Sequence, residues 1–218
     1  GTTKKELLET GLTYYDVMEK DKKTEKQQLT TVLIAPSWTN KSALTNNIKK
    51  LSEVIEVLLK NNYAVIFRPH PQMLQAKQQE MNDLEQILSI YKSLIIDKSP
   101  SGVGCMNKAD VMISDLSGVI FDFFFVYKKP VIVVDVEVNT AGFEAEDVDK
   151  TPWEIGKIND IATKINLDAV DEIPSIVATA IQNNDTQKSD KIILDSIFNY
   201  GSAGKVAANQ LVHILENV

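Results

Sequence analysis

Hydrophobic residues along the chain fall into short, almost continuous runs separated by stretches with helical periodicity. Five of these runs predict buried strands, at Thr31–Pro36, Tyr63–Arg68, Leu94–Ile96, Val111–Ser114 and Pro130–Asp135. Between them, apolar residues three or four positions apart predict helices over about 43–60, 74–91 and 117–126, with a short helix ending near residue 108. Nearly all-apolar strands that alternate with helices are typical of a parallel sheet covered on both faces, so the pattern predicts an α/β, Rossmann-like fold.

The two ends of the chain differ from this central pattern. Residues 1–30 are polar and show no clear core face, which predicts a linker or junction segment with a short helix over Lys4–Leu8, followed by a Rossmann-like domain over 31–218. Further helices are predicted at about 158–164, 173–183, 187–197 and 204–217, after an acidic surface loop over 137–152. Because the first residue is Gly1 and not Met, the chain is expected to be a piece of a longer protein.

Composition narrows the classes of function. The net charge of −7 argues against a broad nucleic-acid surface, which would need a basic face. One cysteine, Cys105, excludes an internal disulfide, and with two well-separated histidines it makes a structural zinc site improbable. We therefore expect no metal and no cofactor. The apolar run Val119–Val126 is too short to cross a bilayer, which needs about 20 residues.

The single arginine of the chain lies two residues from one of its two histidines. Arg68-Pro69-His70-Pro71 follows the predicted second strand, at the end of the sheet where doubly wound proteins bind ligands. The two prolines hold His70 on a rigid loop, and an imidazole there can bind or protonate a phosphate oxygen. The alternative is a solvent-exposed loop that carries a histidine by chance.

The loop after the predicted fourth strand offers a second candidate site. Ser114-Asp115 closes the strand, Ser117 is expected to be the N-cap of the next helix, and Gly118 would let a ligand approach the backbone. Free amides at a helix start can bind a diphosphate, although a plain N-cap is the simpler reading. Asp122 returns to the same face one turn later, where either a ligand hydroxyl or a buried hydrogen bond would satisfy it.

Three other loops supply the remaining candidates for donor or phosphate binding. These residues are Ser37, Thr39 and Lys41 after the first strand, Ser101 in a short glycine-rich loop after the third, and Lys205 at the start of the last helix. The glycine-rich loop lacks the full dinucleotide fingerprint. The segment around Lys205 is read equally well as a simple helix start.

Together these segments resemble the CDP-glycerol glycerophosphotransferase family, the teichoic-acid polymerases and primases. The matching stretches are Ala35–Trp38, Arg68–Pro71, Ser114–Phe123, Lys129–Ile132 and Phe198–Val206, with Gly11–Asp16 similar to the family's domain junction. The resemblance implies a glycosyltransferase-B fold with two Rossmann-like halves. It also implies that this chain is the C-terminal, donor-binding half and that the N-terminal, acceptor-binding half is absent from it.

The family transfers glycerol phosphate from CDP-glycerol to a polyol-phosphate chain and releases CMP. By resemblance, His70 would contact the donor pyrophosphate, Ser117 and Gly118 the phosphates, and Asp122 the donor hydroxyls. Two departures concern the donor: Leu116 and Gly118 stand where the family often has Tyr and a second Ser, and a basic residue is displaced to Lys41.

The resemblance also implies partners and a location. The acceptor and a further catalytic histidine belong to the N-terminal half, so this piece alone is expected to bind a cytidine nucleotide weakly and not to turn over. A cytoplasmic bacterial protein is implied, with contact to the inner face of the membrane only through segments outside this chain. Two alternatives stay open: a nucleotide-sugar glycosyltransferase or UDP-sugar epimerase of the same architecture, and a non-catalytic binding module.

Overall fold

A computed structural model describes residues 7–38, 42–134 and 153–216 of the chain. Within these residues a parallel sheet has the strand order β3-β2-β1-β4-β5-β6. Its strands are β1 (Thr31–Ile34), β2 (Ala64–Phe67), β3 (Leu94–Ile96), β4 (Val111–Ser114), β5 (Val131–Val134) and β6 (Ala162–Ile165). The predicted Rossmann-like fold is confirmed, and the five predicted strands are present with ends trimmed by up to two residues.

Burial explains why these runs become strands. Every residue of β1, β4 and β5 is buried, as expected for central parallel strands with helices on both faces. β3 lies at one edge, and Ile95 in its middle is 52% exposed. β1 pairs in parallel with β2 on one side and with β4 on the other, and the direction of the strand order reverses between β1 and β4. That reversal is the topological switch point at which doubly wound sheets bind ligands.

The other edge strand, β6, corrects the sequence prediction. A helix was expected over 158–164, whereas helix α8 spans Trp153–Ile161 and β6 follows it directly, pairing with β5 along its whole length. Thr163 and Lys164 are exposed, so only part of the strand carries an apolar signal. Its conformation is set by pairing with β5, a tertiary contact that local periodicity does not report.

Two predicted long helices are each divided in two. Helix 43–60 is α2 (Ala43–Asn46) followed by α3 (Ile48–Lys60), and the second is α4 (Pro71–Ala76) followed by α5 (Gln78–Leu88). The first break occurs at Asn47, whose side chain accepts a hydrogen bond from the Lys50 amide at 3.1 Å. One face of α3 is fully buried against the sheet, at Leu51, Val54, Ile55 and Leu58.

The helices after β3 and β4 are short. α6 spans Val103–Lys108, and α7 spans Val119–Asp122 before the chain widens into a π-helical turn over Phe123–Tyr127. The turn ends at Lys128, which has a left-handed backbone with φ of 54°. Behind β6, a 3₁₀ segment at Leu167–Glu172 leads into α9 (Ile173–Gln182), as predicted within one residue.

Residues 1–23 and 185–218 form a compact unit separate from residues 24–184. It contains α1 (Thr13–Asp21), α10 (Thr186–Ser196) and α11 (Ala203–Glu216). α1 buries Tyr15 and Met18, so a helix with a core face lies where a linker was expected. The predicted helix over Lys4–Leu8 begins outside the described residues, and Leu7 and Leu8 are not helical.

The predicted acidic loop at 137–152 lies outside the described residues. Among the residues that are described, no helix combines the length and the apolar character needed to cross a membrane.

Candidate functional site

Loops from four neighbouring strands meet at the carboxyl edge of the sheet in residues 24–184. Because β3, β2, β1 and β4 are parallel and adjacent, the residues that follow them lie in a row along one edge. These loops carry most of the candidates from the sequence.

His70 is the N-cap of helix α4. Its Nδ1 accepts a hydrogen bond from the Gln72 amide at 3.2 Å, and Pro71 occupies the first helical position. A neutral imidazole that accepts at Nδ1 carries its proton on Nε2, so the ring presents an N–H donor on the side away from the helix. The side chain is half-buried at the edge of the sheet. It is therefore a fixed hydrogen-bond donor suited to a phosphate oxygen.

The indole of Trp38 stacks on His70. The two ring centroids are 6.5 Å apart and the planes are inclined by 18°. This contact joins the loop after β1 to the loop after β2. Trp38 belongs to the segment Ala35–Trp38 that resembles the family, and the sequence alone gives it no role. The signal that could have singled it out is an aromatic residue in the loop after a buried strand, because the loop after the neighbouring strand carries His70.

Arg68 is held by the loop after β3. Its Nη1 donates to Asp97 Oδ2 at 2.6 Å and to Ser99 Oγ at 3.3 Å, and its Nη2 donates to the Pro100 carbonyl at 3.4 Å. Burial alone would raise the pKa of Asp97, but hydrogen bonds from Ser99 and Arg68 outweigh it and hold that pKa below its usual value. The guanidinium thus fastens two loops together. Phosphate binding by Arg68 stays a prediction.

Asp115 lies fully buried at the end of β4. Its Oδ1 accepts the Ser37 amide at 2.5 Å, and its Oδ2 accepts the Ser42 hydroxyl. The neighbouring Ser114 donates its hydroxyl to the Ala35 carbonyl at 2.6 Å. The Ser37 hydroxyl is buried in the same region. Both residues at the end of β4 therefore bind the loop after β1.

Ser117, Gly118 and Asp122 follow Asp115 at the start of α7. The expected N-cap was Ser117, but the helix begins one residue later, with Gly118 in the N-cap position and no side-chain cap. Instead, the backbone amides of Ile120 and Phe121 in the first turn donate to the carbonyls of Ser117 and Gly118. A Cβ added at Gly118 would meet no atom within 4 Å, so the space beside this backbone is open. Asp122 is half-buried in the last position of α7.

The remaining candidates are dispersed. Ser101 is exposed, and its hydroxyl accepts the Val103 amide at 3.3 Å, at the start of α6. Thr39 and Lys41 lie outside the described residues. Lys205 is in α11, in the unit formed by the two chain ends.

The helix start near Lys205 already holds an anionic group. Asp16 accepts the amide of Ala203 at 3.2 Å and that of Gly204 at 2.8 Å. A further anion contact was one of the two readings of this segment. The protein's own carboxylate occupies these two amides, and an anion contact by Lys205 stays a prediction.

In the described part of the chain, no group of three or more His, Cys, Asp or Glu side chains could hold a metal ion. Cys105 is buried, and this burial raises its pKa to about 12. The thiol is therefore protonated at neutral pH, as expected of a core residue.

The sheet order and the row of loops at its switch point define a Rossmann-like α/β domain, the class of fold that binds ligands at this edge of the sheet. The family model of CDP-glycerol:poly(glycerophosphate) glycerophosphotransferase matches residues 1–144. The chain belongs to this family. The match confirms the resemblance inferred from the sequence and includes the loops after β1, β2, β3 and β4.

Solved structures share the fold at low sequence identity. The wall teichoic acid polymerase TagF is 17% identical, with a TM-score of 0.51, over 94% of this chain and 48% of that one. A UDP-GlcNAc 2-epimerase of Methanocaldococcus jannaschii, in complex with UDP-GlcNAc and UDP, is 15% identical, with a TM-score of 0.58, over 96% and 54%. A glycosyltransferase of Rickettsia africae is 11% identical, with a TM-score of 0.52, over 88% and 49%.

The chain spans about half the length of these neighbours. At such identities the similarity shows the fold alone. No curated protein sequence matches the chain.

Proposed function

We propose that this chain forms the donor site of a CDP-activated polyol-phosphate transferase. The enzyme would transfer glycerol phosphate from CDP-glycerol to a polyol-phosphate or glycan acceptor and release CMP. The observation that carries the proposal is the family match, which spans the loop where His70 presents its Nε2–H at the carboxyl edge of the sheet. By family resemblance we place the reaction in the bacterial cytoplasm, at the inner face of the membrane, with teichoic acid or another surface polymer as product.

The chemistry is a phosphoryl transfer. An acceptor hydroxyl oxygen forms a bond to the glycerol-bearing phosphorus, and the bond from that phosphorus to the bridging oxygen breaks. The bridging oxygen leaves with CMP and gains negative charge. The hydroxyl proton passes to a base, which we expect in the acceptor half implied by the resemblance. Such reactions depend mainly on positioning and on stabilising charge at the phosphates.

We assign His70 to the leaving phosphate. Its Nε2–H can donate to the departing oxygen while Nδ1 stays bonded to the Gln72 amide. Gly118 would offer open backbone to the diphosphate, and Ser117 and Asp122 would contact phosphate and donor hydroxyls respectively.

The other candidates are assigned by loop. Ser37, Thr39 and Lys41 would contribute from the loop after β1 and Ser101 from the loop after β3. The contacts of Arg68, Ser114 and Asp115 support a role in fixing these loops beside the donor.

A second candidate, a UDP-sugar glycosyltransferase or epimerase, shares the fold, and UDP-GlcNAc is bound in one of the similar structures. Thermal unfolding with a panel of nucleotides separates the two. A ligand that binds only the folded state, at a concentration 100 times its dissociation constant, raises the free energy of unfolding by about 2.7 kcal/mol. In a domain of this size that raises Tm by roughly 5–10 °C.

CDP-glycerol, CDP-ribitol and CMP are expected to raise Tm more than UDP-GlcNAc at equal concentration. A larger effect of UDP-GlcNAc would favour the second candidate. No effect of any nucleotide would favour a non-catalytic module.

A further inference from the structure

Among the described residues, Asp115 is the one charged residue whose side chain is fully buried. A carboxylate in such a position costs several kcal/mol unless hydrogen bonds replace its hydration. Asp115 has them at both oxygens, from the Ser37 amide and the Ser42 hydroxyl. We call these three residues the Asp115 clamp.

The clamp holds both ends of one loop. Ser37 follows β1 and Ser42 is the N-cap of α2, so a single carboxylate at the end of β4 joins the end of β1 to the start of α2. Thr45 closes the arrangement, because its hydroxyl donates to the Ser37 carbonyl at 2.6 Å and its amide donates to the Ser42 hydroxyl at 3.1 Å. Trp38 is next to Ser37 in this segment, and its ring stacks on His70.

We propose that Asp115 is a positioning residue for His70, acting through the clamped loop and Trp38. The carboxylate holds the Ser37 amide, Trp38 is the next residue along the chain, and its indole fixes the plane of the imidazole. An amide could not replace it, because asparagine has one acceptor oxygen and would turn an N–H toward one of the two donors. The effect on the donor rests on the proposed function, whereas the geometric claim does not.

The chain contains a matched control. Asp110 precedes β4, at the amino ends of the strands. There its Oδ2 accepts a hydrogen bond from the Thr31 amide of β1 at 2.8 Å. The two aspartates therefore join the same pair of strands by the same kind of bond. The four residues of β4 lie between them, so the two positions are five residue steps, or roughly 17 Å, apart along the strand. Loss of Asp110 should weaken the fold without disturbing Trp38 or His70.

NMR spectroscopy tests the geometry directly. The chain has two tryptophans and two histidines, so one His70→Asn and one Trp153→Phe variant assign all the indole N–H and imidazole C–H signals. In Asp115→Asn, the Trp38 and His70 signals should move toward unstructured positions, while those of Trp153 and His213 stay unchanged. Asp110→Asn should leave all four in place.

Signals of Trp38 and His70 that stay at wild-type positions in Asp115→Asn would overturn the proposal, as would equal shifts in Asp110→Asn. If Asp115→Asn does not fold, Ser42→Ala removes one arm of the clamp and keeps the other. It should shift the same two signals in the same direction by less, and unshifted signals there would also overturn the proposal.

A titration with CDP-glycerol then tests the consequence for the donor. We expect a Kd about 10-fold higher for Asp115→Asn than for Asp110→Asn, at temperatures where both are folded. Equal affinities would contradict a role at the donor. If no variant and not even the wild type binds CDP-glycerol, the proposed function fails while the NMR result still decides the geometry.

Discussion

At the residue scale, His70 has a structural and a chemical role that can be separated. Its Nδ1 caps α4, and its Nε2–H is directed away from the helix. Asparagine is among the best N-caps, so His70→Asn should keep the cap, whereas His70→Ala should lose about 1 kcal/mol of unfolding free energy. Both should weaken CDP-glycerol binding about 10-fold, as expected for loss of one hydrogen bond to a charged group.

Calorimetry and thermal unfolding of the two variants check this prediction. Full donor affinity in His70→Asn would show that the imidazole does not contact the donor. Equal destabilisation by both substitutions would show that the cap is not the source of the stability.

The Arg68–Asp97 ion pair predicts a pH dependence of stability. The pKa of Asp97 is lower in the folded state, so its contribution is present above the unfolded value near 3.9 and is lost as pH falls through the folded value. Asp97→Asn should therefore reduce the unfolding free energy by about 2 kcal/mol at pH 7. Below about pH 4 the difference from wild type should shrink.

Urea unfolding at several pH values measures the effect, with the exposed Asp171→Asn as control. A deficit that is constant with pH would contradict an ionic origin.

This pair also shows what the sequence could not predict. Arg68 beside His70 suggested a phosphate contact, because both lie on one loop. The partner that engages the guanidinium, Asp97, is 29 positions away and is brought close only by the pairing of β2 with β3.

At the element scale, the break between α2 and α3 depends on one side chain. Asn47 caps α3 through the Lys50 amide, so Asn47→Ala should cost about 1 kcal/mol, or roughly 2–4 °C in Tm. Lys49→Ala, at an exposed position in the first turn of the same helix, is the control and should change Tm by less than 1 °C or so. Similar melting temperatures for the two variants would mean that the cap contributes nothing.

Strands were predicted where the apolar run is continuous, including the partly exposed edge strand β3, and β6 was missed because its exposed Thr163 and Lys164 interrupt the run. β1, β4 and β5 are buried throughout, and their continuous apolar runs were sufficient. β6 and α1 bury only some of their residues, and each depends on a partner distant in sequence. Local patterns carry little information on such elements.

At the scale of the whole molecule, the chain ends form a compact unit that the sequence did not predict. The carboxylate of Asp16 binds the first amides of α11 across 187 positions of sequence. Asp16→Ala should lower the unfolding free energy by about 2 kcal/mol, since two charge-assisted hydrogen bonds are lost.

Chemical denaturation followed by circular dichroism checks this, with the exposed Asp21→Ala in the same helix as control. An Asp16 variant as stable as the control would show that this contact does not stabilise the unit.

The alternation of strands and helices was enough to predict the class of fold, and the strand order places His70, Trp38 and Asp115 along one edge of the sheet. The central claim is that this edge binds CDP-glycerol and not UDP-GlcNAc. Calorimetric titration of the wild type and of His70→Asn with CDP-glycerol and UDP-GlcNAc tests it most directly. We expect the wild type to bind CDP-glycerol at least about 10-fold more tightly than UDP-GlcNAc, and we expect His70→Asn to bind CDP-glycerol more weakly than the wild type does. Tighter binding of UDP-GlcNAc, or CDP-glycerol affinity unaffected by the substitution, would contradict it.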